Sequence, residues 1–163
     1  MDDLFAVPGA PWVAVSQQLA VLRRWLLLAA AVAAALVLIA STLVLPGARW
    51  ILGVGLPVLV VATPVAWRII GRNVASWAYA ERDDDLFVRR GVAFRRFEVV
   101  PYGRMQLVDI TAGPLQRRLG LATVHLHTAA PGTQARIPGL VPQEAARLRD
   151  RLTALGEAQA SGL

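Results

Sequence analysis

Cysteine is absent from the 163 residues, and so is lysine. Without cysteine there is no disulfide, no thiolate metal site, no iron–sulfur cluster and no thiol nucleophile. Without lysine, all 17 basic residues are arginine. Together with the abundant alanine, that is a habit of composition rather than a mechanism. The net charge of +6 is therefore weak ground for a nucleic-acid partner. Nor are aromatic residues interleaved with the arginines, as a base-stacking platform requires. There is no Gly-x-Ser-x-Gly, no phosphate-binding glycine loop and no histidine-based nucleophile pair. No catalytic residue and no cofactor is expected, and the chain reads as non-enzymatic.

The most telling shortage is of charge along the chain. Residues 25–45 form a run of 21 with no charged side chain, and residues 50–67 contain no charge either. A hydrocarbon core about 30 Å thick needs roughly 20 apolar helical residues to cross it. The two runs predict two membrane spans, at 25–45 and 50–67, joined by a short loop at 46–49, so the first partner is the lipid bilayer. A secretory h-region is only about 7–15 residues long. The first run is longer and stands behind a leader that carries Asp2 and Asp3, so it reads as a retained span. Trp12, Trp25, Trp50 and Trp67 lie near the expected span ends, as belt residues do.

Arg23 and Arg24 precede the first run and Arg68 and Arg72 follow the second, while the loop carries only Arg49. The positive-inside rule then places both termini in the cytoplasm and the loop outside the cell membrane. The leader, residues 1–24, reads either as an interfacial helix using Val13, Leu19 and Leu22 or as a disordered tail. No ionisable residue lies inside either run. Ion and proton pathways need such groups, so the runs anchor rather than transport. Small residues at Ala29/Ala33 and Ala30/Ala34 suit close helix packing. Pro57 and Pro64 predict a bent second span.

Beyond residue 75 the pattern changes to short alternations. Strands are predicted at 77–80, 86–90, 92–100, 106–111, 122–128 and 134–137, with turns at Glu81-Arg82-Asp83-Asp84-Asp85 and Ala130-Pro131-Gly132. A short helical turn falls at 113–120. From Pro142 to Leu155, the apolar stripe Ala145, Leu148, Leu152, Leu155 predicts a helix, ended by Gly156. Residues 157–163 read as a flexible tail.

The pieces Trp77-Ala78-Tyr79, Asp85-Leu86-Phe87-Val88-Arg89-Arg90-Gly91 and Val100-Pro101-Tyr102-Gly103-Arg104-Met105-Gln106 carry a resemblance. So do Gly113-Pro114-Leu115-Gln116-Arg117-Arg118-Leu119-Gly120-Leu121-Ala122 and Ile137-Pro138-Gly139-Leu140. In this order and spacing they resemble the bacterial pleckstrin-homology (PH) domain membrane proteins of the YdbS-like type. The resemblance covers about residues 75–155, and the two-span hairpin before it also fits. It implies an α+β chain: a transmembrane hairpin, then a PH-like domain at 75–156 with two near-orthogonal antiparallel sheets capped by a C-terminal helix. It implies no catalytic activity.

Two functions suit such a domain. The first is a scaffold that pairs with itself or with another PH-domain membrane protein through open strand edges and a sheet face. The second is recognition of anionic lipid headgroups by arginines, since guanidinium suits phosphate. The candidate contacts for either are Arg89, Arg95, Arg96, Arg104, Arg117 and Arg118, with Arg90 beside them. Neighbours on a strand point to opposite faces, so these arginines are not expected to form one patch. His125 and His127 share a strand face but lack an evident third ligand, so no metal site is expected. The acidic run 83–85 lacks the spacing of a calcium loop.

Overall fold

A computed structural model describes residues 11–44, 47, 49–128 and 135–160. The first ten residues of the leader, residues 46 and 48 of the loop at 46–49, the expected turn at 130–132 and the last three residues lie outside them. The chain divides into two units: residues 20–72, and the residues on either side of that stretch.

The first unit is a helical hairpin. Residues 25–44 of the first uncharged run lie within α1 (Gln18–Val44) and all of the second within α2 (Arg49–Ala75), each helix 27 residues long. At 1.5 Å per residue, each extends about 40 Å, enough to cross a bilayer and emerge on both sides. No residue in the most apolar stretch of either helix is buried, unlike a soluble core helix. Pro57 and Pro64 sit inside α2 without ending it. The helices approach closely at Gly55, where a Cβ would stand 2.9 Å from both Cδ atoms of Leu38. Near the other end, the Arg24 guanidinium lies 4.8 Å from the Trp67 ring centroid.

The second unit carries two antiparallel sheets. One has the order β1-β2-β3-β4, from β1 (Val13–Ala14), β2 (Ala78–Glu81), β3 (Asp85–Arg90) and β4 (Arg96–Pro101). The other is β5-β6-β7, from β5 (Met105–Thr111), β6 (Ala122–Thr128) and β7 (Ala135–Leu140). A 3-10 turn (Tyr102–Arg104) leads into β5, and α3 (Pro114–Arg118) links β5 to β6. The last helix, α4 (Pro142–Ala160), packs on β5, β6 and the 3-10 turn.

Cross-strand partners share a face. Tyr79 opposes Val88, and Leu86 opposes Val100, so these four side chains face inward and are buried. Val124 opposes Ile137, and both are fully buried. From α4 come Ala145, Leu148 and Leu152, fully buried, while Leu155 is half-exposed. Full burial of one such leucine contributes about 1.5–3 kcal/mol.

Four differences from the sequence reading have physical causes. Val13 and Ala14 are neither helix nor tail: they pair with Tyr79 and Ala78 as the first strand of the sheet. In the sequence, the hairpin thus interrupts the sheet unit between its first and second strands. The third predicted strand starts at Arg96, not Val92, because Gly91 turns the chain at φ +104°. The last strand runs to Leu140, since Pro138 and Gly139 are buried within β7. Finally, α4 passes through Gly156 to Ala160. The residues after Gly156 favour helix, and Gln159 Nε2 donates to Asp84 Oδ1 at 3.2 Å. Residues 157–160 are helical, not a tail.

Candidate interaction surfaces

On the outward face of the four-stranded sheet, Ala78 and Ala80 of β2 are small. The Trp12 indole, one residue before β1, lies on this face with Arg89 and Phe97. Its ring meets Phe97 of β4 edge-on at 6.1 Å, and Phe97 lies 5.4 Å from Phe87 of β3. The Arg89 guanidinium stands 4.6 Å over the Trp12 ring, and that of Arg82 5.9 Å from the Phe87 ring. Such cation–π stacking favours a partly desolvated guanidinium. Val99, opposite Phe87, is 45% exposed beside them.

Arg90 points to the other face. It pairs with Glu98 at 2.6 Å and lies 5.4 Å from the Trp77 ring centroid. It also lines an open cleft of about 220 Å³ together with His125, Leu126, His127, Ala135 and Arg136. His125 Nε2 shares a 3.0 Å hydrogen bond with Thr111 Oγ1, and its cross-strand neighbours are Asp109 and Arg136. Among the described residues there is no group of three metal-ligating side chains.

The remaining arginines are dispersed and exposed. Arg95 follows the β3–β4 turn and Arg96 opens β4, opposite Arg90. Arg104 closes the 3-10 turn, and Arg117 and Arg118 end α3. The candidate contacts therefore occupy separate local settings, and Arg89 joins an aromatic cluster. Trp12 read in the sequence as a membrane-belt residue, but it stacks on the sheet with Phe97 and Arg89; Phe97 and Arg136 carried no sequence signal, because strand register is what places them.

A latch holds α4 to the first sheet. Arg147 reaches both Glu144, at 2.6 Å, and Glu81 of β2, at 2.5 Å; Arg151 also reaches Glu81, at 3.2 Å. The Arg147 hydrogen bond, followed by that from Tyr79, holds the Glu144 carboxyl at about 2, below its ordinary 4.5. The same carboxylates raise the Arg147 pKa above its ordinary value. A carboxylate tied down this way is a structural anion, not a free general base.

The family model described as bacterial PH domain matches residues 19–155. The protein named "UPF0699 transmembrane protein YdbS" of Bacillus subtilis (strain 168) is 34% identical over 109 residues. These cover 67% of this chain and 62% of that protein, so the match spans less than two thirds of the relative's length. Neither description names an enzymatic activity. No solved structure gives a significant match. With the two apolar helices, the paired sheets and a family match over well more than half its length, the chain belongs to the bacterial PH domain family as a YdbS-like membrane protein.

Proposed function

We propose that the chain is a non-enzymatic interaction module. Its hairpin anchors it at the cytoplasmic face of the cell membrane, and its PH-like unit assembles with a second copy or with another PH-domain membrane protein. The observation that carries this is the outer sheet face, where Trp12, Phe97 and Arg89 stack beside exposed Val99. Tryptophan and arginine are enriched among the residues that carry most of the binding energy at protein interfaces. Here stacking already holds Arg89 and Trp12 in place, which lowers the ordering cost of association. Anchoring in two dimensions raises the effective concentration of partners, so a modest affinity is enough. The cytoplasmic side follows from the arginine asymmetry around the spans.

Crosslinking tests the assembly. The chain has no cysteine, so Val99→Cys gives a unique thiol on the proposed face, with Asp150→Cys on α4 as the control. In native membranes, a thiol crosslinker is expected to join Val99→Cys to a second copy or another membrane protein, and to leave the control monomeric. Monomer alone from both variants would refute the reading. A reporter fused to the C-terminus tests the side, and is expected to be active in the cytoplasm only.

A further inference from the structure

Phe94 is 87% exposed, the most exposed large apolar side chain among the described residues. It stands in the β3–β4 turn, two residues after Val92, itself 36% exposed, and directly before Arg95 and Arg96. Isolated surface apolar residues are ordinary. An aromatic tip flanked by arginines has instead the composition of an interfacial membrane contact: an apolar wedge beside cations that meet headgroups.

The turn is held in shape and in place. At Gly91, φ is +104°, and a Cβ would lie 2.0 Å from the Phe94 carbonyl oxygen, so only glycine fits. The Gly91 N–H donates to Ser76 Oγ at 3.0 Å, and the Ser76 hydroxyl donates to the Asn73 carbonyl at 2.7 Å. Ser76 is the residue directly after α2. The uncharged run of α2 ends at Trp67, nine residues before Ser76. Nine helical residues cover about 13.5 Å, and the headgroup zone extends roughly 5–8 Å beyond the hydrocarbon on each side. The turn is thus tied to a point that the chain cannot carry far from the bilayer surface.

We propose that the Phe94 tip of the β3–β4 turn inserts at the boundary of headgroups and acyl chains in the chain's own bilayer, with Arg95 and Arg96 on anionic headgroup phosphates. This contact rests on the membrane anchor and not on the assembly proposed above. Tethering makes it intramolecular, so one aromatic side chain and two charges suffice to hold the turn down.

The test uses the full chain in lipid nanodiscs, one chain per disc, where copies do not meet and both membrane faces stay open to solvent. A polarity-sensitive thiol dye at Val92→Cys reports on the turn with Phe94 intact, and one at Asp150→Cys serves as the aqueous control. In discs containing phosphatidylglycerol, the Val92→Cys dye is expected to emit to the blue and to resist iodide quenching several-fold better than the control. Adding Phe94→Ser is expected to restore quenching. Adding Arg95→Gln and Arg96→Gln is expected to reduce protection to its level in phosphatidylcholine discs. A dye quenched as readily as the control in both lipids overturns the proposal. Protection that survives Phe94→Ser overturns it too, since the chain itself then shields the site. Equal protection in both lipids overturns the role of the two arginines. Crosslinking through Val99→Cys is read separately, so either proposal can fail alone.

Discussion

The phenol of Tyr79 on β2 donates a 2.6 Å hydrogen bond to Oε1 of Glu144, 65 residues away on α4. This bond joins the first sheet to the capping helix, and Arg147 holds both oxygens of the same carboxylate, Nη2 donating to Oε1 at 2.6 Å and Nε to Oε2 at 2.9 Å. The group is charged in the folded state at a pH where an ordinary carboxyl has taken up a proton. Its contribution is present above about 4.5 and lost as pH falls toward about 2. Thermal unfolding midpoints are therefore expected to fall between pH 5 and pH 3 (values chosen to bracket roughly that window). Glu144→Gln is expected to flatten that dependence and to cost about 1 kcal/mol at neutral pH, the network being partly exposed. An unchanged acid slope in the variant would show that other carboxylates dominate.

Tyr79 and Tyr102 are the chain's only two tyrosines, and both are fully buried. Burial raises both phenols, with nearby carboxylates adding to it: Tyr102 to about 12 from its ordinary 10.0, and Tyr79 further still. The neutral forms belong to the fold, so this stability is intact below about 10 and declines as pH rises through about 12. Tyrosinate absorbance is expected to stay flat through the ordinary range in the folded protein and to appear there once the protein is denatured. Half of the signal titrating normally in the folded state would mean that one phenol is wet.

Gly139 in β7 has φ +75°, and a Cβ there would approach the Leu19 Cβ to 2.9 Å. Its carbonyl also accepts the Ser16 N–H at 2.9 Å. Gly139→Ala is expected to destabilise the sheet unit by about 1–3 kcal/mol through the left-handed backbone alone. Trimming the neighbour with Leu19→Ala in the same chain removes the contacts with Cδ2 and Cγ, at 3.0 and 3.4 Å, but neither the Cβ contact nor the dihedral. A denaturant titration of the two variants separates these effects.

A fragment beginning at Asn73 lacks β1 and Trp12. It opens the hydrogen-bonding edge of β2, which Val13 and Ala14 cover in the whole chain, and it strips the stacking partner from Arg89. Such a fragment is expected to unfold at lower urea concentration than the same fragment with residues 11–19 fused ahead of it through a short glycine linker. Equal midpoints would show that β1 adds nothing to the sheet.

Much of this architecture was legible because it rests on local pattern. Absent charge marks the spans, period-two alternation places Val124 and Leu126 inward, and the 3-4 spacing of Ala145, Leu148 and Leu152 sets the buried face of α4. What stayed hidden depends on partners distant in sequence. A two-residue strand has no period to read, and Val13 finds Tyr79 only across the whole hairpin. The arginines looked alike as letters, yet Arg89 stacks on an indole while Arg90 pairs with Glu98. Gly156 looked like a stop, but Gln159, three residues on, gains a bond to Asp84 by continuing the helix.

The pairing of β1 with β2 also fixes a parity. Two strands that share hydrogen bonds must stand on one side of any barrier, so the polypeptide between Ala14 and Ala78 crosses the bilayer an even number of times. A single crossing would strand the two edges in different compartments, and no sheet could close. The first strand leaves the ribosome some sixty residues before its mate, so the sheet closes only when the two runs share one fate, both across or neither. In that sense closure of the sheet excludes an anchor left half inserted.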